Sequence, residues 1–256
     1  MNVKRLLILI LSVGGCAIAS PVGTLGIGST GVVNATLTSI LFTPDPTAIG
    51  VCPGAPCNGD VNTGTTLLFS GGPLTFGEGI LINGGFPFGT PPPPGATTFN
   101  PFLQFALHPN LTFTLLGADA GSSNPDCAAA SASNGGSCSL VVAGTPSPVI
   151  LTRNGTNTNV AISLFGIASD GVGLSSSWKG GFSATIPDTT PLDIARFFCG
   201  VDTVCTAAEA AASPTLTVRS TSGSFIASVV PEPGTSAMLG GGLLLLSLAL
   251  RRMNKQ

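Results

Sequence analysis

Charge is the scarcest commodity in this 256-residue chain: Asp, Glu, Lys and Arg make up 8% of it, against about 25% in an ordinary soluble protein. There is one His, one Trp and no Tyr. Each shortage excludes something. A nucleic-acid binder needs basic patches interleaved with stacking aromatics, and neither can be assembled here. A metal site built on several histidines, or a two-histidine relay, is impossible with His108 alone. A charge-laced helical bundle is equally disfavoured. What the chain has instead is 35 Gly and 21 Pro, well above the usual share but short of the composition of a disordered chain.

The few charges are placed unevenly. Lys4 and Arg5 precede the apolar run Leu6 to Val13, and Ala17-Ile18-Ala19 then offers a small-x-small cleavage site before Ser20. This order of basic, apolar and small residues is that of a secretory signal over residues 1–19. A rival processing site overlaps it, because Val13-Gly14-Gly15-Cys16 resembles a bacterial lipobox in which Cys16 would carry the lipid. At the other end, Val230-Pro231-Glu232-Pro233 is followed by an uncharged run to Leu250, and then by Arg251, Arg252 and Lys255. Counted from Thr235 the run is 16 residues, about 24 Å as a helix and a little short of a ~30 Å hydrocarbon core. The expectation is a single C-terminal transmembrane helix, with the terminal cations kept cytoplasmic as a stop-transfer signal.

This tail, with its Pro231-Glu232-Pro233, apolar run and terminal Arg251-Arg252, strongly resembles the PEP-CTERM sorting signal of exported bacterial proteins. The resemblance covers residues 230–256. It implies processing at the Pro-Glu-Pro motif by an exosortase, a membrane-embedded cysteine peptidase or transpeptidase of Gram-negative bacteria that make exopolysaccharide. It also implies a route through an inner-membrane intermediate to the cell surface or extracellular matrix. Prolines on both sides of Glu232 keep that stretch extended, which is what a processing enzyme can grip.

Residues 20–229 remain as one ectodomain. Within them Arg153, Lys179, Arg196 and Arg219 face ten acids, a balance of −6, so Ser, Thr, Asn and Gly must cover the surface. Short runs such as 32–43, 65–69, 99–107, 111–116, 140–143, 149–152, 159–167, 181–186, 215–219 and 224–229 are of strand length and bounded by Gly, Pro or Asn. The pattern predicts a mainly β fold, an antiparallel sandwich or jelly roll. Thr190, Pro191 and Asp193 before Ile194 to Phe198 predict one short helix, and Ala207 to Ala212 a second. Phe86 to Gly95, with four consecutive prolines, reads as an extended loop. The stretch Trp178-Lys179-Gly180-Gly181-Phe182, with the helix and strands after it, loosely resembles the ends of PEP-CTERM ectodomains and implies no activity.

Six cysteines lie beyond Cys16, in close pairs: Cys52 with Cys57, Cys127 with Cys138, and Cys199 with Cys205. Six cysteines allow fifteen pairings. Local disulfides fit best, since each pair brackets turn residues and export leads to an oxidising compartment. No cofactor or metal is expected. Gly26-x-Gly28-x-x-Gly31 matches a dinucleotide fingerprint, but Val32 to Thr43 after it reads as strand rather than helix. Asp60-Val61-Asn62-Thr63-Gly64 alternates oxygen ligands without the bidentate Glu of a calcium loop, so it reads as a turn, as do Asp170, Asp188 and Asp193. Trp178 reads as core or sheet edge before sugar platform, and His108 as a strand-end residue. Asn34, Asn110 and Asn154 head glycosylation sequons that carry little meaning in a bacterium. No catalytic residue stands out, and the reading is of a non-enzymatic exported surface or matrix protein, structural or adhesive in exopolysaccharide. A lectin-like glycan-binding module is the alternative, with a secreted hydrolase behind it.

Overall fold

The computed structural model of the chain describes residues 20–37, 40–83, 99–172, 175–202 and 204–228. Their strands are β1 (Gly23–Ala35), β2 (Ile40–Phe42), β3 (Gly59–Val61), β4 (Gly79–Ile82), β5 (Phe99–Phe105), β6 (Thr112–Ala118), β7 (Ser137–Cys138), β8 (Val141–Val142), β9 (Thr145–Pro146), β10 (Val149–Asn154), β11 (Asn157–Ser169), β12 (Ser176–Ile186), β13 (Val204–Cys205) and β14 (Leu216–Ser228). The helices are short: α1 (Cys127–Ala132), α2 (Pro191–Cys199) and α3 (Ala207–Ala211).

The predicted sandwich is replaced by a closed barrel. Eight strands form a ring in the order β12-β14-β1-β3-β4-β5-β6-β11, and β11 pairs back to β12, every neighbour antiparallel. Alternation of apolar and polar residues says only that one face of a strand is buried, and both architectures satisfy it. Closure is decided by long-range register, above all Gly23 to Ala35 against Ala227 to Leu216, which abolishes the open edges a sandwich would keep. The other half of the expected architecture, the C-terminal transmembrane helix, lies outside the described residues, as do the signal segment, the Pro-Glu-Pro motif and the polyproline loop. Among the described residues no helix is long and apolar enough to cross a membrane.

Four long strands, β11, β12, β14 and β1, serve two cores. Their halves near Gly23 and Ser228 close with β3 to β6 around Phe102, Phe105, Phe113, Trp178 and Phe225, all essentially buried. Beyond the barrel, β10 takes over as the neighbour of β11, and β2 pairs with the far half of β1. There the sheet is covered by α1 and α2 around a second core of Leu140, Leu151, Ile194 and Phe198. Helix α2 buries Pro191, Ile194, Ala195, Phe198 and Cys199, the stripe expected of an amphipathic helix. It begins where predicted, with the Thr190 hydroxyl accepting from the Asp193 amide and the Asp193 carboxylate accepting from the Thr190 amide. Helix α1 was not expected, although Asp126 caps it by accepting from the amides of Ala128 and Ala129.

All three local disulfides form. Cys52–Cys57 closes a surface loop, while Cys127–Cys138 and Cys199–Cys205 fasten the helices to the second core.

Register also fixes which loops meet. Gly23 pairs with Ala227, so the first and last strands lie side by side and the chain enters and leaves the barrel at one end, here called the base. The β3–β4 loop (62–78) and the β5–β6 loop (106–111) turn at that same end, where β11 also ends and β12 begins. Within the first of these, Leu67 and Phe69 point into the barrel core and plug it from below.

Candidate functional site

The outer wall of β11, β12 and β14 carries an open groove of about 640 Å³, lined by Ser163, Gly181, Ser183, Ser222 and Ser224 and rimmed by Lys179 and Ile226. Register explains it. Inward positions on these strands are apolar, so the residues between them face out, and Ser163, Gly181 and Ser224 fall into one row while Ala161, Ser183 and Ser222 fall into the next. The Ser183 and Ser222 hydroxyls lie 3.4 Å apart, and nearer the base so do those of Ser177 and Ser228. Lys179 sits in an exposed ion pair with Asp119 at 3.0 Å, an interaction worth about 0–1 kcal/mol in water.

The wall is flat because glycines admit aromatic rings on the other side. Phe225 lies opposite Gly180, and Phe182 opposite Gly223. A Cβ at Gly223 would fall 2.9 Å from the Phe182 ring, inside contact distance. Phe165, on the outer face, spreads over Gly117 in the same way. A row of hydroxyls over a flat backbone, flanked by one aromatic and one aliphatic side chain, can donate and accept many weak hydrogen bonds.

Trp178 takes its core position, its indole N–H donating to the Thr114 carbonyl at 3.2 Å, and so is no sugar platform. His108 lies just beyond β5, as a strand-end residue should. Sequence reasoning missed its partner, the wholly buried Glu78, whose carboxylate receives the His108 Nδ1 edge at 3.0 Å and the Leu107 amide at 3.0 Å. A lone carboxylate between Thr-Phe-Gly and Gly-Ile-Leu was the available signal, since a Glu about to enter a buried strand needs a partner. Asp170 is buried as well and accepts from the amides of Ser70 and Val172, stitching the end of β11 to the β3–β4 loop.

The remaining acids have local duties. Asp188 stands in a turn at positive φ, its amide donating to Asn157. Asp60, on β3, is held above the usual carboxylate range by burial and then by the charge of Asp45. Hydrogen bonds from the Thr190 hydroxyl and amide hold Asp193 below that range, and the Thr206 amide and hydroxyl do the same for Glu209 at the start of α3. Among the described residues no three His, Cys, Asp or Glu side chains gather into a metal-holding group. Gly26 and Gly28 of the apparent dinucleotide fingerprint lie within β1, with Asn62 and Asp60 across from them.

No family model matches the chain, and neither a curated protein nor a solved structure matches it.

Proposed function

We propose that this is an exported, non-enzymatic surface or matrix protein, released from its sorting tail at Pro231-Glu232-Pro233 by an exosortase and held in exopolysaccharide by its hydroxyl-rich wall. One observation carries the reading. The strands run from Gly23 to Ser228, with the first and last paired, so cleavage at either address segment leaves every ladder of the barrel intact. Two further features support it. All six cysteines after residue 20 are paired, which suits an oxidising compartment and leaves no thiol nucleophile among them. The groove on the outer wall sets four serine hydroxyls among glycine and apolar positions, with its only opposite charges, Lys179 and Asp119, paired with each other, which suits a neutral glycan better than an ionic partner.

The barrel is not of the kind that itself spans lipid. Its interior is filled with Phe, Trp and Leu while Ser, Thr and Lys outnumber the exposed Phe165, Ile167 and Ile226 on the wall of β11, β12 and β14, the reverse of a lipid-facing barrel.

The deciding experiment is the intact mass of the mature protein from native envelope and medium. The expected mass ends near residues 231–233 and is two hydrogens light for each of three cysteine pairs. A mass that still includes Arg251 and Arg252 rejects the sorting reading. For the glycan half, purified protein should be retained on native matrix and released when the polysaccharide is digested. Retention that survives digestion rejects that half.

A further inference from the structure

The base of the barrel is apolar where it should be wet. Val22 and Leu68 face each other across a bridge and both are exposed, although Leu67 and Phe69 on either side of Leu68 are buried. Phe76, 63% exposed, follows on the same loop. Ile49 lies against Gly77 through two backbone hydrogen bonds to that segment, and its neighbour Val51 is 84% exposed. Leu107, on the β5–β6 loop, and Val172, just past the end of β11, are also exposed. Scattered exposed apolar residues are ordinary, but a contiguous crown of them marks a contact surface.

Charge is missing from the same place. Residues 20–152 contain no Lys or Arg, and neither does the loop 170–175. The acids of the base, Glu78 and Asp170, are buried and satisfied by His108, Leu107, Ser70 and Val172. The crown can therefore leave water without stripping an ion of its hydration, which is the costly step for a polar surface approaching lipid.

We infer that the base is a lipid-docking face, its exposed loops seated in the interfacial layer of a bilayer. The occupant is indicated by where the chain goes next. It leaves the barrel at Ser228, on the rim of the base between the starts of β1 and β12, and the uncharged run begins at Thr235. Seven residues span at most about 24 Å, so whatever takes up that run holds the crown beside it. The inference rests on the exported, membrane-delivered reading above. It adds that the barrel makes its own contact with lipid, distinct from the tail's, and that this contact is apolar, indifferent to anionic lipid and to salt.

The test uses the full chain in phosphatidylcholine–phosphatidylethanolamine vesicles with acyl chains brominated at defined depth. Two conservative, exposed replacements report position: Phe76→Trp at the base and Phe197→Trp on α2 at the far end. The buried Trp178 contributes equal background to both. The expected result is that bromolipid roughly halves the added emission of Phe76→Trp, that salt does not restore it, and that Phe197→Trp is unchanged. Equal emission from both variants, in protein that floats with the vesicles, overturns the docking face while leaving the membrane-delivered reading standing. Protein that does not float at all overturns both.

Discussion

Phe225 lies directly across the ladder from Gly180, its ring and backbone filling, together with the Ser224 carbonyl, the space that a β-carbon at residue 180 would need. The same exchange recurs between Phe182 and Gly223, and between Trp178 and Gly166, where the indole and the Thr114 backbone together close off the site. These strands carry their bulk on one partner and none on the other, which lets a short closed barrel hold large rings. Gly180→Ala should cost about 1–3 kcal/mol by overpacking, whereas Ser224→Ala on the outer face should stay within about 0.5 kcal/mol. Urea titration of the two variants checks the pair. Equal midpoints would show that the ring and the glycine are not coupled.

Thr221 is the opposite case, a polar group in an apolar place. Its hydroxyl is buried in a pocket lined also by Val33, Phe42 and Phe182 and has no hydrogen-bond partner among the described residues. Thr221→Val keeps the shape and removes the penalty, so it should raise stability by about 1 kcal/mol. A lower melting temperature for the variant would contradict this.

Two carboxylates should give opposite pH signatures. Asp193 has a lowered folded pKa through its bonds to Thr190, so its stabilisation is present above the unfolded value near ~4 and lost as pH falls through the folded value. Asp193→Asn should therefore lower stability at neutral pH, by up to about 1 kcal/mol as a weakened capping box, and have little effect in strong acid. Asp60 has a raised folded pKa through burial and then Asp45. Its ionisation opposes folding as pH rises through the folded value, so Asp60→Asn should stabilise at neutral pH and be silent below about pH 3. Melting curves across the acid range read both signs in one series.

Replacing Cys127 and Cys138 together by Ala should cost about 2–3 kcal/mol on the loop-entropy scale. The loss should be local. Hydrogen exchange should speed up in α1, β7 and β10 while the amides of β5 and β6 hold, because the disulfide belongs to the second core and not to the barrel.

Ser183→Val with Ser222→Val should weaken retention on polysaccharide without lowering the melting temperature, since both side chains face solvent on the wall. Unchanged retention would remove the groove from the binding surface.

Local chemistry was the legible part of this sequence. The Thr190–Pro191–Asp193 start of α2, the paired cysteines and the strands of 99–107, 111–116 and 159–167 each announce themselves within a dozen residues. Runs 215–219 and 224–229 read as two strands because Ser and Gly separate them, yet they are one, since Gly223 is thin to admit Phe182 rather than to turn. The glycines of β1 match a dinucleotide fingerprint by spacing alone for a similar reason: Gly26 and Gly28 sit opposite the Asn62 and Asp60 side chains. Barrel closure and the Glu78–His108 contact depend on segments dozens of residues apart, and no local pattern encodes them. The groove was legible only in part: alternation marks Ser222 and Ser224 as outward, but not that Ser183 stands beside them.

The pairing of β14 with both β1 and β12 also sets an order of events during folding. Until the chain is complete to residue 228, the edges of the first strand and of β12 stay open, and the barrel has a seam eleven residue pairs long on the β1 side alone. Closure must wait for nearly the whole described chain, so the barrel cannot fold vectorially from its amino end, and two unzipped edges stay open to stray strands until β14 arrives.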